Sequence, residues 1–286
     1  MNTNISETDF KFVCDFTSQN SAIVINDSKR YLVETRLEPV ARNNGYETLS
    51  DFVQALRSQG KSGNLSEETI DALTTNETYF FRDFHPFNAL KKFVIPELIE
   101  RNKATKSLSI WSAACSSGQE AYSIAMMLRD SFPVLNDWKI KIMGTDLSPT
   151  VLEKARKGRY NQIEVNRGLP ASMLVKYFQK DGLEWVIKDD LKANTEFRAM
   201  NLIEPWPIMQ PFDIIMIRNV LIYFDVEVKR TILKKMASCL RNTGYLFLGT
   251  SESASSIEDS WNDITLDKTV AYTKSTFPKP DSAGLN

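Results

Sequence analysis

The chain has 286 residues, 42% of them hydrophobic and 10% aromatic, enough apolar material for one large domain or two unequal ones. Its 35 Lys and Arg nearly balance its 36 Asp and Glu, which argues against the overall basic surface of a nucleic-acid-binding protein. One histidine and three scattered cysteines (Cys14, Cys115, Cys239) make no metal-ligand spacing, leave a hydrolase triad improbable and suit a reducing cytoplasm.

The first residues, MNTNISETDF, lack the basic and apolar stretches of a secretory signal. The longest apolar run, DIIMIRNVLIYF, is broken by Arg218 and Asn219, so no segment is expected to insert in a bilayer.

Residues 1 to about 75 read as short helices. Ser6 is placed to cap a segment carrying Phe10, Val13 and Phe16 at helical spacing. Asp27 or Ser28 should cap the next, with Leu32, Val33, Leu37 and Val40 facing inward, a bend near residues 35–39 caused by Pro39 and a stop at Gly45. Two further helices are expected around 50–59 and 66–74, the second with an acidic first turn. Residues 76–106 form a linker and lid, in which TTNETYFFRDFHPF sets five aromatic rings around Arg82.

From about residue 107 to 275, apolar strands alternate with amphipathic helices. The strands are SLSIWSAA, KIKIMGTD, FDIIMIRN, GYLFLGT and KTVAYTK; the helices are GQEAYSIAMMLRD, SPTVLEKARKG and a segment capped by Asp225 that runs to about Leu240. This rhythm predicts an α/β fold with a parallel sheet covered on both faces. Residues 160–195 interrupt it and read as an inserted antiparallel β-subdomain with a helix near 169–178. The tail, residues 276–286, is expected to be disordered.

Open α/β sheets bind ligands beyond the carboxyl ends of their strands. The first strand leads into AACSSGQEAYS, whose single glycine suits a cofactor loop or a plain tight turn. The second ends in Asp146, at the position of a ribose-binding acid; a helix cap for 148–157 is the other reading. The strand ending IRNVLIYF puts Arg218, Asn219 and Tyr223 at the rim, where burial without partners would cost several kcal/mol, roughly 2–7 for a neutral polar group.

In order along the chain, NETYFFRD, WSAACSSGQEAYSIAM, GTDLSPTVLEKARKGRY, FRAMNL, FDIIMIRNVLIYFD and GYLFLGTSES make it similar to the chemotaxis receptor methyltransferases, the CheR family. The resemblance runs from about residue 10 to residue 273. It implies a Rossmann-like S-adenosylmethionine-dependent methyltransferase domain with a helical N-terminal domain and an inserted β-subdomain. It also implies methyl esterification of glutamate side chains on the cytoplasmic helices of chemoreceptors, which serves adaptation in chemosensory signalling.

Carried over residue by residue, the resemblance sets Asn76, Thr78 and Arg82 at the methionyl end of the cofactor, Arg82 on its carboxylate, beneath a wall of linker rings. Glu120 becomes a cofactor contact, Asp146 the ribose ligand and Asn201 with Leu202 the adenine side. Asn219 and Val220 line the floor, and Tyr223 orients the substrate carboxylate. Lys29, Arg30, Arg36 and Arg42 form the receptor-docking face, diluted here by Glu34, Glu38 and Pro39. The stretch YFQKDGLEWVIKDD is compact, so no tether to a receptor's C-terminal pentapeptide is expected. Gln119 and Ser148 stand where the family often has acids.

Two rival readings fare less well. The absence of GxGxxG weighs against a nicotinamide-dependent oxidoreductase, and RNVLIYF is not the N-P-P-Y signature of amide methylation. The alternative that stays open is a cofactor-binding but non-catalytic regulatory module of a chemosensory pathway.

Overall fold

In the computed structural model, which describes residues 5–60 and 63–275, the chain opens with four helices. Ser6 caps α1 (Glu7–Ser21), its Oγ accepting the Asp9 N–H at 3.1 Å. The cap expected at Asp27 or Ser28 is not used. Residues Asp27–Lys29 form a 3-10 turn, the Ser28 hydroxyl donates to Asn26 Oδ1, and α2 (Arg30–Asn43) begins without a side-chain cap. Pro39 sits inside α2, which carries on past it; Gly45, at φ 81°, follows its end. Next come α3 (Leu49–Gln59) and α4 (Asn64–Leu73), the latter two residues earlier than its acidic turn suggested. Phe10, Val13, Leu37, Phe52 and Leu56 close a core of their own between these helices.

The linker is more helical than the sequence reading allowed. After residue 84 come α5 (His85–Ala89), a π-helical turn (Leu90–Val94) and α6 (Ile95–Asn102). Phe87, Leu90, Val94 and Leu98 recur at helical spacing and are buried against the sheet.

The main sheet is built from β1 (Ser107–Ala113), β2 (Lys139–Asp146), β6 (Thr195–Ala199), β7 (Phe212–Ile217), β8 (Leu240–Leu248), β9 (Trp261–Leu266) and β10 (Thr269–Lys274). Their order is β6-β2-β1-β7-β8-β10-β9. The pairings from β6 to β8 are parallel, and β10 runs antiparallel to both β8 and β9. Between these strands run α7 (Gln119–Ser131), α8 (Pro149–Lys157) and α12 (Val226–Cys239). Period-two alternation divides the strands between two cores. Ile110, Ile142, Ile214 and Phe247 meet α7 and α6 on one face; Trp111, Met143, Ile215 and Leu246 meet α12 on the other. All six residues of β7 are consequently buried.

The insert forms a separate antiparallel sheet, β3-β5-β4. It comprises β3 (Arg159–Asn161), α9 (Gln162–Asn166), α10 (Ala171–Tyr177), β4 (Phe178–Asp181), β5 (Glu184–Ile187) and α11 (Asp189–Lys192). Thr195, which the sequence reading put at the end of the insert, belongs to the main sheet through β6. The tail expected to be disordered, 276–286, lies outside the described residues.

Candidate active site

Strand order reverses between β1 and β7, since β2 lies on one side of β1 and β7 on the other. At the carboxyl ends of these strands opens a crevice of about 910 Å³, its open mouth included. All ten residues nominated for cofactor or catalysis line it: Asn76, Thr78, Arg82, Glu120, Asp146, Asn201, Leu202, Asn219, Val220 and Tyr223. They come from five separate segments of chain, which only the doubly wound fold brings together.

The linker side is polar. Asn76 Nδ2 donates to Thr74 Oγ1 at 3.0 Å, while its carbonyl accepts the Ser116 hydroxyl at 2.8 Å. Arg82 is half-buried; Nη1 donates to the Glu77 carbonyl at 2.8 Å, and its guanidinium lies 5.6 Å from the Tyr79 ring centroid. Among the described residues no carboxylate pairs with it, so its charge is available to a ligand. Glu77, held below the usual carboxylate range by its bond to Arg167, steadies this stretch from the insert side.

The expected ring wall is absent. None of Tyr79, Phe80, Phe81, Phe84 and Phe87 lines the crevice. Phe80 is fully buried, edge-on to Tyr160 at 5.1 Å and Phe178 at 5.7 Å, and Phe81 packs on Phe87 at 5.2 Å. Phe84 is 62% exposed and packs in no core among the described residues. The rings fasten the linker to the insert and the sheet, because apolar faces gain more there than beside a polar crevice.

The rest of the linker is held by Arg218, whose side chain is only 2% exposed. Nη1 reaches Glu120 Oε2 at 3.0 Å; Nη2 reaches Asp83 Oδ2 at 2.6 Å and the Arg82 carbonyl at 3.0 Å. The burial cost anticipated for Arg218 is thus met by two carboxylates, although Nε has no partner among the described residues. Glu120 is tied on its other oxygen by the Ser112 hydroxyl at 2.7 Å.

Asp146 ends β2, and it is not the cap of α8: Ser148 Oγ accepts the Val151 N–H at 3.2 Å. Instead Asp146 Oδ2 accepts Ser116 N–H at 2.8 Å and Oδ1 accepts Ser148 N–H at 3.0 Å. Burial pushes its carboxyl pKa up, against the pull of these N–H groups. Each oxygen retains a lone-pair site for a hydroxyl donor. Backbone strain gathers here too, with Ala114, Ser116 and Asn219 at φ 54°, 50° and 59°.

The opposite wall was only partly foreseen. Met200, Leu202, Val220 and Phe224 make it apolar. Asn201 spends its amide on the Asn20 carbonyl at 2.8 Å, at the end of α1, which leaves its backbone for a ligand. Ser21 and Ile23 also line the crevice, so the helical region builds part of it; no local signal in the sequence announced this. The Val24 N–H donates to the Tyr223 carbonyl at 3.3 Å. Asn219 Oδ1 is shielded from solvent and lacks a hydrogen-bond partner among the described residues, an orphan acceptor at the crevice floor.

The four docking residues lie on or beside α2, largely in local use. Arg30 pairs with Glu7 and lies over the Phe10 ring; Arg42 pairs with Glu38 at 2.7 Å. Arg36 donates to the carbonyls of Ala72, Leu73 and Thr74 at the end of α4. Lys29 has no ion pair among the described residues.

A free guanidinium, a buried carboxylate, an apolar strip and an orphan acceptor suit a ligand with a carboxylate, a diol and a flat base. The family model described as CheR methyltransferase, SAM binding domain, matches residues 76–270, and that of its all-alpha domain matches residues 8–74. Chemotaxis protein methyltransferase 1 of Pseudomonas aeruginosa is 40% identical over 272 residues, covering 93% of this chain and 98% of its own. Chemotaxis protein methyltransferase 1 of Vibrio cholerae is 36% identical, with 94% and 97% covered. The enzyme of that general name in Vibrio parahaemolyticus is 38% identical over the same shares.

Proposed function

The chain belongs to the CheR methyltransferase family, and we propose that it forms methyl esters on glutamate side chains of the cytoplasmic helices of chemoreceptors. The observation that carries this reading is the convergence of all ten nominated residues on one crevice that holds an arginine with no acidic partner among the described residues. S-adenosylmethionine, when bound, supplies a methyl group on a positively charged sulfur.

The chain's own residues do the remaining work. Arg82 would bind the ligand's carboxylate, in the manner of charge-assisted guanidinium pairs. Asp146 would accept from ribose hydroxyls through its free lone pairs, while Asn201, Leu202 and Val220 border the base. Asn219 Oδ1 would find the donor it lacks. Tyr223, on the 3-10 turn Leu221–Tyr223 at the rim, would orient the acceptor glutamate.

A glutamate carboxyl, with an ordinary pKa of about 4.3, is ionised at neutral pH, so the reaction needs no general base. The lack of a crevice histidine or reactive thiol is consistent with that. Cys115, buried at the crevice, is pushed well above the ordinary thiol range and stays protonated. Holding the reacting atoms in line is the principal contribution, worth roughly 7–11 kcal/mol in well-oriented systems.

Lys29, Arg30, Arg36 and Arg42 remain the proposed receptor face, with Lys29 and the exposed Arg42 most available to an acidic helix. Gly182 and Leu183 alone join β4 to β5, a hairpin too short to clasp a peptide, which supports the absence of a pentapeptide tether. We place the protein in the cytoplasm, where those receptor helices lie; among the described residues no helix is long and apolar enough to cross a membrane. The test is incubation with methyl-labelled S-adenosylmethionine and receptor-bearing membranes. Base-labile label released as methanol identifies the ester; binding without transfer would indicate the non-catalytic regulatory module.

A further inference from the structure

We infer that Glu252 is a positioning residue for methyl transfer, its carboxylate fixing the turn that carries Asn219, Val220 and Tyr223. The inference rests on the reading of the crevice given above. Glu252 belongs to the GYLFLGTSES stretch after β8, where it reaches back to the loop after β7. Its Oε2 accepts the N–H of Asn219 at 2.9 Å and of Gly249 at 2.7 Å, and Oε1 accepts the N–H of Ile222 at 3.2 Å. Among the described residues it forms no ion pair, so its charge is spent on backbone donors alone.

Those donors need it. Asn219 sits in the left-handed region at φ 59°, where the ladder of β7 has ended, and Ile222 lies within the first turn of a 3-10 helix that leaves its N–H groups unpaired. A carboxylate offers acceptors only, on two oxygens, and so can collect all three N–H groups. Glutamine of the same shape cannot. Its single oxygen leaves either Ile222 or the Asn219–Gly249 pair facing an NH₂ group. Gly249 leaves no slack, because a Cβ there would come within 2.7 Å of Glu252 Oε2 and 2.9 Å of the Asn219 nitrogen. A shift of this turn displaces the Tyr223 ring and the Asn219 floor together.

The experiment uses the full chain with two variants, Glu252→Gln and Gly249→Ala, which disturb the same contact from opposite sides. Turnover on receptor membranes, S-adenosylhomocysteine affinity by calorimetry and urea unfolding are measured for each. The expected result is a fall in kcat on the order of 10- to 100-fold, as for loss of an orienting outer partner, with a smaller loss of affinity in both variants. Glu252→Asp, which keeps the charge, should recover part of the loss. Wild-type kcat and affinity in folded Glu252→Gln overturn the inference, as does a loss matched by the unfolded fraction. If the wild type binds S-adenosylhomocysteine but methylates no receptor, the functional reading fails by itself. Glu252 is then judged by affinity, and an unchanged value in Glu252→Gln rejects it.

Discussion

Arg218 and Asp83, 135 residues apart in sequence, meet at 2.6 Å between the rim of the sheet and the linker. Glu120 holds the same guanidinium from α7, so one buried cation joins three segments around the crevice. The pairing explains how a linker with φ 51°, 64° and 46° at Phe81, Asp83 and Phe84 keeps its shape.

Arg218→Met should therefore destabilise the protein. Removing the cation leaves Glu120 partly buried without a counter-charge, at a cost of about 3–5 kcal/mol. Urea unfolding checks it; a loss below 1 kcal/mol would show that the carboxylates rearrange to water.

Arg82→Ala should act in the opposite manner. Among the described residues its guanidinium makes a single hydrogen bond, to the Glu77 carbonyl, so the melting temperature should scarcely change. Affinity for S-adenosylhomocysteine should fall by about 2–5 kcal/mol, the usual cost of truncating a charge-paired anchor. Unchanged affinity by calorimetry would remove Arg82 from the site.

Tyr223→Phe should lower turnover more than affinity. The loss of one hydrogen bond to a charged acceptor predicts roughly a 10- to 100-fold drop in kcat. Equal turnover at saturation would end the orienting role of the hydroxyl.

The raised pKa of Asp146 gives a pH signature. As pH falls, this carboxyl protonates before an ordinary aspartate does and loses acceptor capacity, so ligand affinity should decline through a midpoint above the normal aspartate value. Its effect on stability has the opposite sign. The native state binds the extra proton, so the contribution of Asp146 to stability diminishes as pH rises through the native pKa. Calorimetric titration of Asp146→Asn, expected to lack the acid-side decline, separates this group from others.

Much of the fold could be read in advance because the central strands are covered on both faces and so appear as unbroken apolar runs, as FDIIMI does. Two edge-side strands escaped that logic. Thr195–Ala199 and Trp261–Leu266 have fewer buried positions and carry charge or amide groups, so no apolar run marks them. The helices after residue 84 were obscured by Pro86, Pro96 and the ring cluster, although a buried stripe from Phe87 to Leu98 was there to be counted. At the site, the side chains that line the crevice lie in recognisable stretches of sequence, as Arg82 and Asn219 do. Those that serve through backbone N–H groups left no sign of their role, even where they lie in a recognisable stretch as Glu252 does in GYLFLGTSES, since every residue but proline offers that partner.

Asn20 and Val24 bind Asn201 and Tyr223 through main-chain atoms, so the helical region is a structural wall of the transfer crevice. Severing the chain at the boundary between the two matched family regions would remove Ser21 and Ile23 from the lining and breach the pocket. The same seam ties the carboxyl end of α1 and the segment after it to the main chain of the tyrosine at the rim.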